Sequence, residues 1–185
     1  MDIEKIIRKL YKVIIYLFPI ETQARIAGVN IGKNNFIASK FWGSEPYLIS
    51  IGSNCQITDG VKIFTHGGGN AIREKNPKFD CFGKVNIGDF VYIGNNSLIM
   101  PGVTIENNVL IGAGSVVTKS IPPNVIVAGN PAKILCTLDD WYNKNLNYDL
   151  GTKGLSYEAK RKILQKTDKS KFIKKQYMQT PNKKE

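Results

Sequence analysis

His66 is the one imidazole in a chain of 185 residues. Three glycines follow it, Gly67 to Gly69, and glycines let a ligand or a second stretch of backbone come close. The histidine stands where an apolar strand, Ile63-Phe64-Thr65, gives way to a polar segment. An imidazole is one of few groups able to take a proton near neutral pH, so a general base is the chemistry to consider. A purely structural imidazole is the competing reading. A multi-histidine zinc centre is ruled out by the count, and Cys55, Cys81 and Cys136 lack the spacing of a metal site. No serine or cysteine has a base beside it in the sequence, which argues against a covalent enzyme intermediate.

The elements that must position His66 are set by a repeat. Ile87, Ile93, Ile99, Ile105, Ile111 and Val117 fall at intervals of six, and a second register runs through Val91, Ser97, Val103, Val109, Ser115 and Ile121. A helix of 3.6 residues per turn would smear a period of six around its surface, and the Gly, Asn and Pro between the apolar positions would break long strands. Short strands joined by turns and stacked into a continuous core remain, which is a β-helix of hexapeptide repeats. The repeat begins at Ile31 and Ile37, lapses over Phe41 to Pro46, and resumes at Ile51, Ile57 and Ile63. Between Ile63 and Ile87 the six-residue phase would bury Lys75, so residues of about 67–84 are expected as a loop thrown out of the prism, and such loops are usually functional.

Outside the repeat, Ile3, Ile6, Ile7, Leu10, Ile14, Leu17 and Phe18 predict an amphipathic helix over residues 2–18, ended by Pro19. Its apolar run is too short to span a membrane. Capping the first coil is the plain expectation for it, and contact with an anionic membrane surface the sharper one. Cys55 falls in the small-residue register and is expected in the core. The net charge of +11 resides mostly in residues 151–185, where eleven Lys and Arg oppose Glu158, Asp168 and Glu185. Sparse aromatic interleaving there argues against nucleic acid. Residues 156–166 read as a short helix, and the Lys-rich end as a solvated tail with a second reading as a contact for anionic lipid or a lipid-linked sugar. Three regions follow: a cap over 1–27, the β-helix over 28–136, and a partly helical basic extension over 137–185.

The hexads, the segment Ile111-Gly112-Ala113-Gly114-Ser115-Val116-Val117-Thr118-Lys119 and the ending Val127-Ala128-Gly129-Asn130-Pro131-Ala132-Lys133 resemble the hexapeptide-repeat acyltransferases, above all those that acetylate sugars in capsule, O-antigen or exopolysaccharide synthesis. Xenobiotic acetyltransferases are close cousins, and serine O-acetylation is an alternative within the class. A structural or binding β-helix is the alternative outside it. The resemblance implies a left-handed parallel β-helix, a homotrimer with sites between neighbouring prisms, acetyl-CoA as donor and no metal. It maps pantetheine contacts onto Gly94, Ala113 and Thr118, and places Lys119 and Lys133 near the phosphates. It makes His66 the base for direct transfer to a sugar or lipid-linked saccharide, with Asp59 a candidate to orient the ring. Arg73, Tyr92 and Asn95 are the acceptor-site candidates. A cytoplasmic enzyme, with the inner face of a membrane as an additional site of work, is the expected setting.

Overall fold

The computed structural model describes residues 15–178. The helix expected over residues 2–18 therefore lies almost wholly outside the described residues. The helix that covers the first coil among those described is α1 (Ile20–Ala27), which follows Pro19. It ends at Gly28, whose φ of 110° suits glycine and lets Val29 N–H reach back to the Ala24 carbonyl. Ala24 is buried in the same core as Val29 and Ile31.

Thirteen strands follow among the described residues: β1 (Asn30–Ile31), β2 (Phe36–Ile37), β3 (Ile49–Ile51), β4 (Gln56–Ile57), β5 (Lys62–Ile63), β6 (Val85–Ile87), β7 (Tyr92–Ile93), β8 (Leu98–Ile99), β9 (Thr104–Ile105), β10 (Leu110–Ile111), β11 (Val116–Val117), β12 (Val125–Gly129) and β13 (Ala132–Thr137). They form three sheets, β1-β3-β6-β9, β2-β4-β7-β10-β12-β13 and β5-β8-β11. Successive turns of the chain visit the three sheets in that order, with single bridges at Phe41 and Ile121 in place of a strand in the first and last turns, so the first of the chain's two compact units is a three-sided parallel β-helix. We call the sheets the first, second and third faces. All pairings among the coils are parallel, and the last strand alone runs back, β13 pairing antiparallel with β12 to close the stack as a hairpin.

Both sequence registers point inward. Ile57, Ile63, Ile93, Ile99, Ile105, Ile111 and Val117 on the faces and Val61, Val91, Val103 and Val109 at the corners are at most 2% exposed. Each such aliphatic chain gains about 1.5–3 kcal/mol on burial, and stacking like on like makes the core continuous. The two buried serines of the corner register are satisfied locally, Ser97 donating to the Gly94 carbonyl at 2.7 Å and Ser115 to that of Gly112. Cys55 is core as expected, its thiol donating to the Gly88 carbonyl at 3.0 Å, and burial pushes its pKa up.

The coil repeat is eighteen residues where Ile87, Ile93 and Ile99 lie beneath Ile105, Ile111 and Val117. It is twenty in the first coil, where Ile31 pairs with Ile51 and Ile37 with Ile57. The excursion from β5 to β6 is a loop as expected, with Lys75 exposed on it. The chain divides into two compact units at Asp139/Asp140. The second carries most of α2 (Leu138–Asn145) and α3 (Tyr157–Lys166), the latter capped by the Ser156 hydroxyl accepting from Ala159 N–H at 3.2 Å. Among the described residues no helix is long and apolar enough to cross a membrane.

Candidate active site

The lapse in the hexads, Phe41 to Pro46, is where the site begins. Phe41 bridges in parallel to Lys62, an offset of twenty-one residues rather than the twenty set lower in the same coil. That offset carried forward places Glu45 beneath His66. Gly43 makes the close approach workable: its φ is 65°, and a side chain there would sit 2.9 Å from the Thr65 hydroxyl and 3.2 Å from the Ile63 carbonyl. Buried Trp42 and the short 3-10 turn over Pro46–Leu48 fix the segment on either side of the carboxylate.

Glu45 Oε2 accepts two hydrogen bonds, from the Thr65 hydroxyl at 2.6 Å and from His66 Nδ1 at 2.7 Å. The Thr65 hydroxyl is the chief reason the Glu45 carboxyl is held below the usual carboxylate range; partial burial opposes it, and the bond and charge of His66 add to it. An ionised carboxylate only accepts, so the ring carries its proton on Nδ1 and turns the Nε2 lone pair outward. Nε2 has no hydrogen-bond partner among the described residues, and the His66 side chain keeps 37% of its surface exposed against 15% for Glu45. A base with one nitrogen fixed and the other open is suited to take a proton from a hydroxyl laid against it.

The loop holds the ring from the other side. His66 forms an antiparallel bridge with Phe82, Gly83 N–H donates to the Thr65 carbonyl at 2.8 Å, and the Phe82 ring lies 5.7 Å from the imidazole. Gly83 is required: a Cβ there would stand 2.2 Å from the backbone nitrogen of Gly102 in the next coil. Arg73 follows the 3-10 turn Gly69–Ile72, and its guanidinium folds back over Gly69.

Asp59, expected as a partner of the ring, is not bonded to it. Asp59 and His66 flank β5 at its two ends, so they belong to different corners of the prism. Asp59 is exposed in the turn between the second and third faces, where its carbonyl accepts from Asn96 N–H at 3.1 Å. Gly94, Asn95 and Ala113 stack at that same corner. Gly114 N–H donates to the Asn95 carbonyl at 2.8 Å, and a Cβ on Gly94 would come within 2.5 Å of Ala113 N, so packing alone demands this glycine. Tyr92 points out from the second face, between Gln56 and Leu110. One chain by itself does not bring Tyr92, Gly94, Asn95 or Ala113 to His66.

Thr118 and Lys119 follow β11 and so leave the third face at the His66 end, two strands away, or about 10 Å at the usual strand spacing. Lys119 and Lys133 line one cleft of about 330 Å³ with Ser120, Pro122 and Ile134. Two cations converging on one cleft suit a phosphate-bearing molecule. No group of three or more His, Cys, Asp or Glu among the described residues could hold a metal ion. Glu45, Thr65 and Phe82 were not legible as site residues in the sequence. The missing signal was the length of the first coil, since Glu45 sits in the segment where the six-residue phase fails.

A family model described as bacterial transferase hexapeptide (six repeats) matches residues 84–119. Protein CapG of Staphylococcus aureus is 43% identical over 145 residues, 76% of this chain and 84% of that protein. Galactoside O-acetyltransferase of Escherichia coli strain K12 is 37% identical over 116 residues, 62% of this chain and 56% of that protein, so the chain spans little more than half of that relative. Among solved structures, a galactoside acetyltransferase in complex with coenzyme A superposes with a TM-score of 0.51 at 26% identity, over 71% of this chain and 80% of that one. A hexapeptide-repeat acetyltransferase from Vibrio cholerae superposes with a TM-score of 0.54 at 23% identity, over 64% and 78%, a likeness of fold.

Proposed function

We propose, on the premise that this chain belongs to the hexapeptide-repeat acyltransferases, that it transfers the acetyl group of acetyl-CoA to a sugar hydroxyl, with His66 as general base. The bound coenzyme A of one structural neighbour supports the donor, and the galactoside named for that neighbour and for the E. coli relative supports a sugar acceptor. Precursors of capsule, O-antigen or exopolysaccharide are the acceptors to test first. Left-handed winding of the coils is part of the same reading.

The observation that carries it is the His66 ring pinned at Nδ1 by Glu45 and open at Nε2. The acceptor hydroxyl gives its proton to Nε2 as its oxygen bonds to the thioester carbonyl carbon. Backbone N–H groups of the Gly67–Gly69 turn are the nearest candidates for the developing oxyanion. When the C–S bond breaks, the imidazolium returns the proton to the sulfur, releasing CoA as a free thiol, and the ester oxygen stays on the sugar. Glu45 balances the positive ring throughout and takes no proton. Lys119 and Lys133 meet the donor's phosphates, and Thr118, next to Lys119 in the chain, is a candidate contact for the pantetheine arm.

The residues gathered at the other corner, Tyr92, Gly94, Asn95 and Ala113, contribute to the same reaction if corners of neighbouring subunits abut. A homotrimer with its sites between prisms is therefore part of the proposal, and light scattering should give the mass of three chains. The direct test is acetyl-CoA-dependent thiol release with a panel of nucleotide sugars and oligosaccharides. Acceptor-dependent release that falls by about 10²–10⁴ in His66→Ala is expected. Release that survives the substitution removes His66 from the chemistry, and absence of both release and acetyl-CoA binding removes the activity.

A further inference from the structure

The second unit departs from ordinary packing. Between Asp140 and Met178 no residue is buried. Trp141, Tyr142, Leu146, Tyr157, Phe172 and Ile173 all keep 40% or more of their surface exposed. A unit of this size with three helical turns' worth of aromatic and aliphatic side chains would ordinarily bury several of them. Over the same residues ten Lys and Arg stand against four Asp and Glu. Exposed apolar groups and a strong positive excess therefore coincide.

The coincidence has a geometry. Trp141, Asn145, Tyr148 and Ile173 are shared by two adjoining clefts. One, of about 330 Å³, adds Tyr142, Leu146 and Asp149 and is lined largely by aromatic and aliphatic groups. The other, of about 410 Å³, adds Lys144, Lys174, Lys175 and Gln176. An apolar cleft thus opens directly onto a lysine-rimmed one, with a single opposing carboxylate, Asp149, on the apolar side. Trp and Tyr settle where one end of the ring is wet and the other dry. Lysines on flexible stems reach anionic headgroups just above that depth.

We propose that this unit docks the enzyme on an anionic phospholipid surface, with Trp141, Tyr142 and Tyr148 at the headgroup–acyl boundary and Lys144, Lys174 and Lys175 on lipid phosphates. Charge complementarity favours a membrane over a second copy of the chain, because two copies would bring two basic units together. Docking of this kind brings the acyltransferase close to acceptors held at a membrane, while leaving its chemistry on soluble acceptors untouched. The inference does not depend on the identity of the acceptor.

The test is co-sedimentation of the full chain with vesicles of phosphatidylcholine alone or mixed with phosphatidylglycerol. Binding is expected to the mixed vesicles only, and to weaken in high salt as surface charges are screened. A Lys144→Glu, Lys174→Glu, Lys175→Glu variant should lower the partition coefficient by at least about tenfold, with Tm unchanged. Tryptophan emission should shift to the blue on binding, and the shift should vanish in Trp141→Phe, since Trp42 is already buried. Equal binding to neutral vesicles, binding indifferent to the lysine substitutions, or no binding would overturn the proposal. So would inorganic phosphate or a nucleotide sugar displacing the protein at low concentration, which assigns the clefts to a soluble anion. A blue shift on raising protein concentration without lipid assigns them to a second copy. Thiol release with soluble acceptors is read separately, so failure here and failure of the acetyl-transfer reading are distinct results.

Discussion

Replacing Glu45 by Gln isolates the contribution of the carboxylate from that of the imidazole it holds. Glu45 Oε2 takes one donor from His66 at 2.7 Å and one from Thr65 at 2.6 Å. Glutamine keeps the size and an acceptor oxygen but loses the charge, and its NH2 group has nothing to donate to at Nδ1–H. Bonds to an ionised acceptor are roughly twice as strong as neutral ones, and this one strengthens as the ring becomes positive in the transition state. A loss of about ten- to a hundredfold in kcat is the expected scale, with KM little changed because Glu45 is set to touch the base and not the acceptor. Initial rates of thiol release at saturating acetyl-CoA measure it. His66→Ala should cost more, about 10²–10⁴, and adding Glu45→Gln to it should cost nothing further, since a positioning residue acts through the group it positions. A Glu45→Gln enzyme within about threefold of the natural rate, or one whose loss persists in the His66→Ala background, would refute the assignment.

Thr65→Val removes the main cause of the lowered Glu45 pKa. A depressed carboxyl stabilises the fold above its ordinary range and loses that contribution as pH falls through its folded value, so Thr65→Val should lower Tm at neutral pH, with the two Tm–pH curves converging as pH falls through the carboxylate range. Phe90 holds a φ of 56° at a corner where Asn34, Asn54, Asn108 and Asn124 adopt 58° to 61°. Phe90→Asn should therefore stabilise the protein by about 1 kcal/mol, read by chemical denaturation. Gly83→Ala drives a Cβ against Gly102 N and should release the loop from the prism, with loss of activity well below the temperature of global unfolding, followed by hydrogen exchange at Thr65 to Phe82. Ile99→Ala empties a site that is fully buried on the third face and should cost about 2–5 kcal/mol.

The coil itself was legible because its cause is local and periodic. Ile87 to Val117 repeat a strand-and-turn unit whose inward side chain cannot be moved without exposing it, so position in the sequence translates directly into position in the core. Loop 67–84 was legible for the converse reason: in phase it would have buried Lys75. Of the candidate site, His66 followed from its uniqueness and its place at a strand end. Glu45 did not, because its contact depends on two residues inserted in the first coil and a further one-residue slip at Phe41–Lys62, neither of which a period of six encodes. Asp59 was attractive by proximity along the chain. In this β-helix the seven residues from Asp59 to His66 carry the chain from one corner to the next, whereas the twenty-one from Glu45 to His66 bring it back to the same one. The closing hairpin of β12 and β13 was also hidden, since its antiparallel turn through Asn130-Pro131 interrupts the repeat that made the rest readable.

These departures from the repeat share a physical logic. Ile51 and Ile87 are partners in adjacent coils although thirty-six residues separate them. One coil's worth of chain has been diverted into the loop without displacing any core side chain above or below it. An excursion of that length leaves the register of every later strand intact, so its cost falls on loop closure alone, and that grows slowly with length. The first coil is lengthened too, by only two residues at the lapse, and Glu45 is thereby brought to His66 at the strand end. The candidate base stands at the start of one irregularity and its carboxylate partner in the other. In the proposed reading the hexads supply rigidity at two fixed heights, and the irregularities supply the proton-transfer pair. It follows that substitutions in the registers should act on Tm and leave kcat in proportion to folded protein. Substitutions at Glu45, Thr65 or His66 should act on kcat with far smaller effects on Tm, and a catalytic group found within the regular hexads instead would break this division.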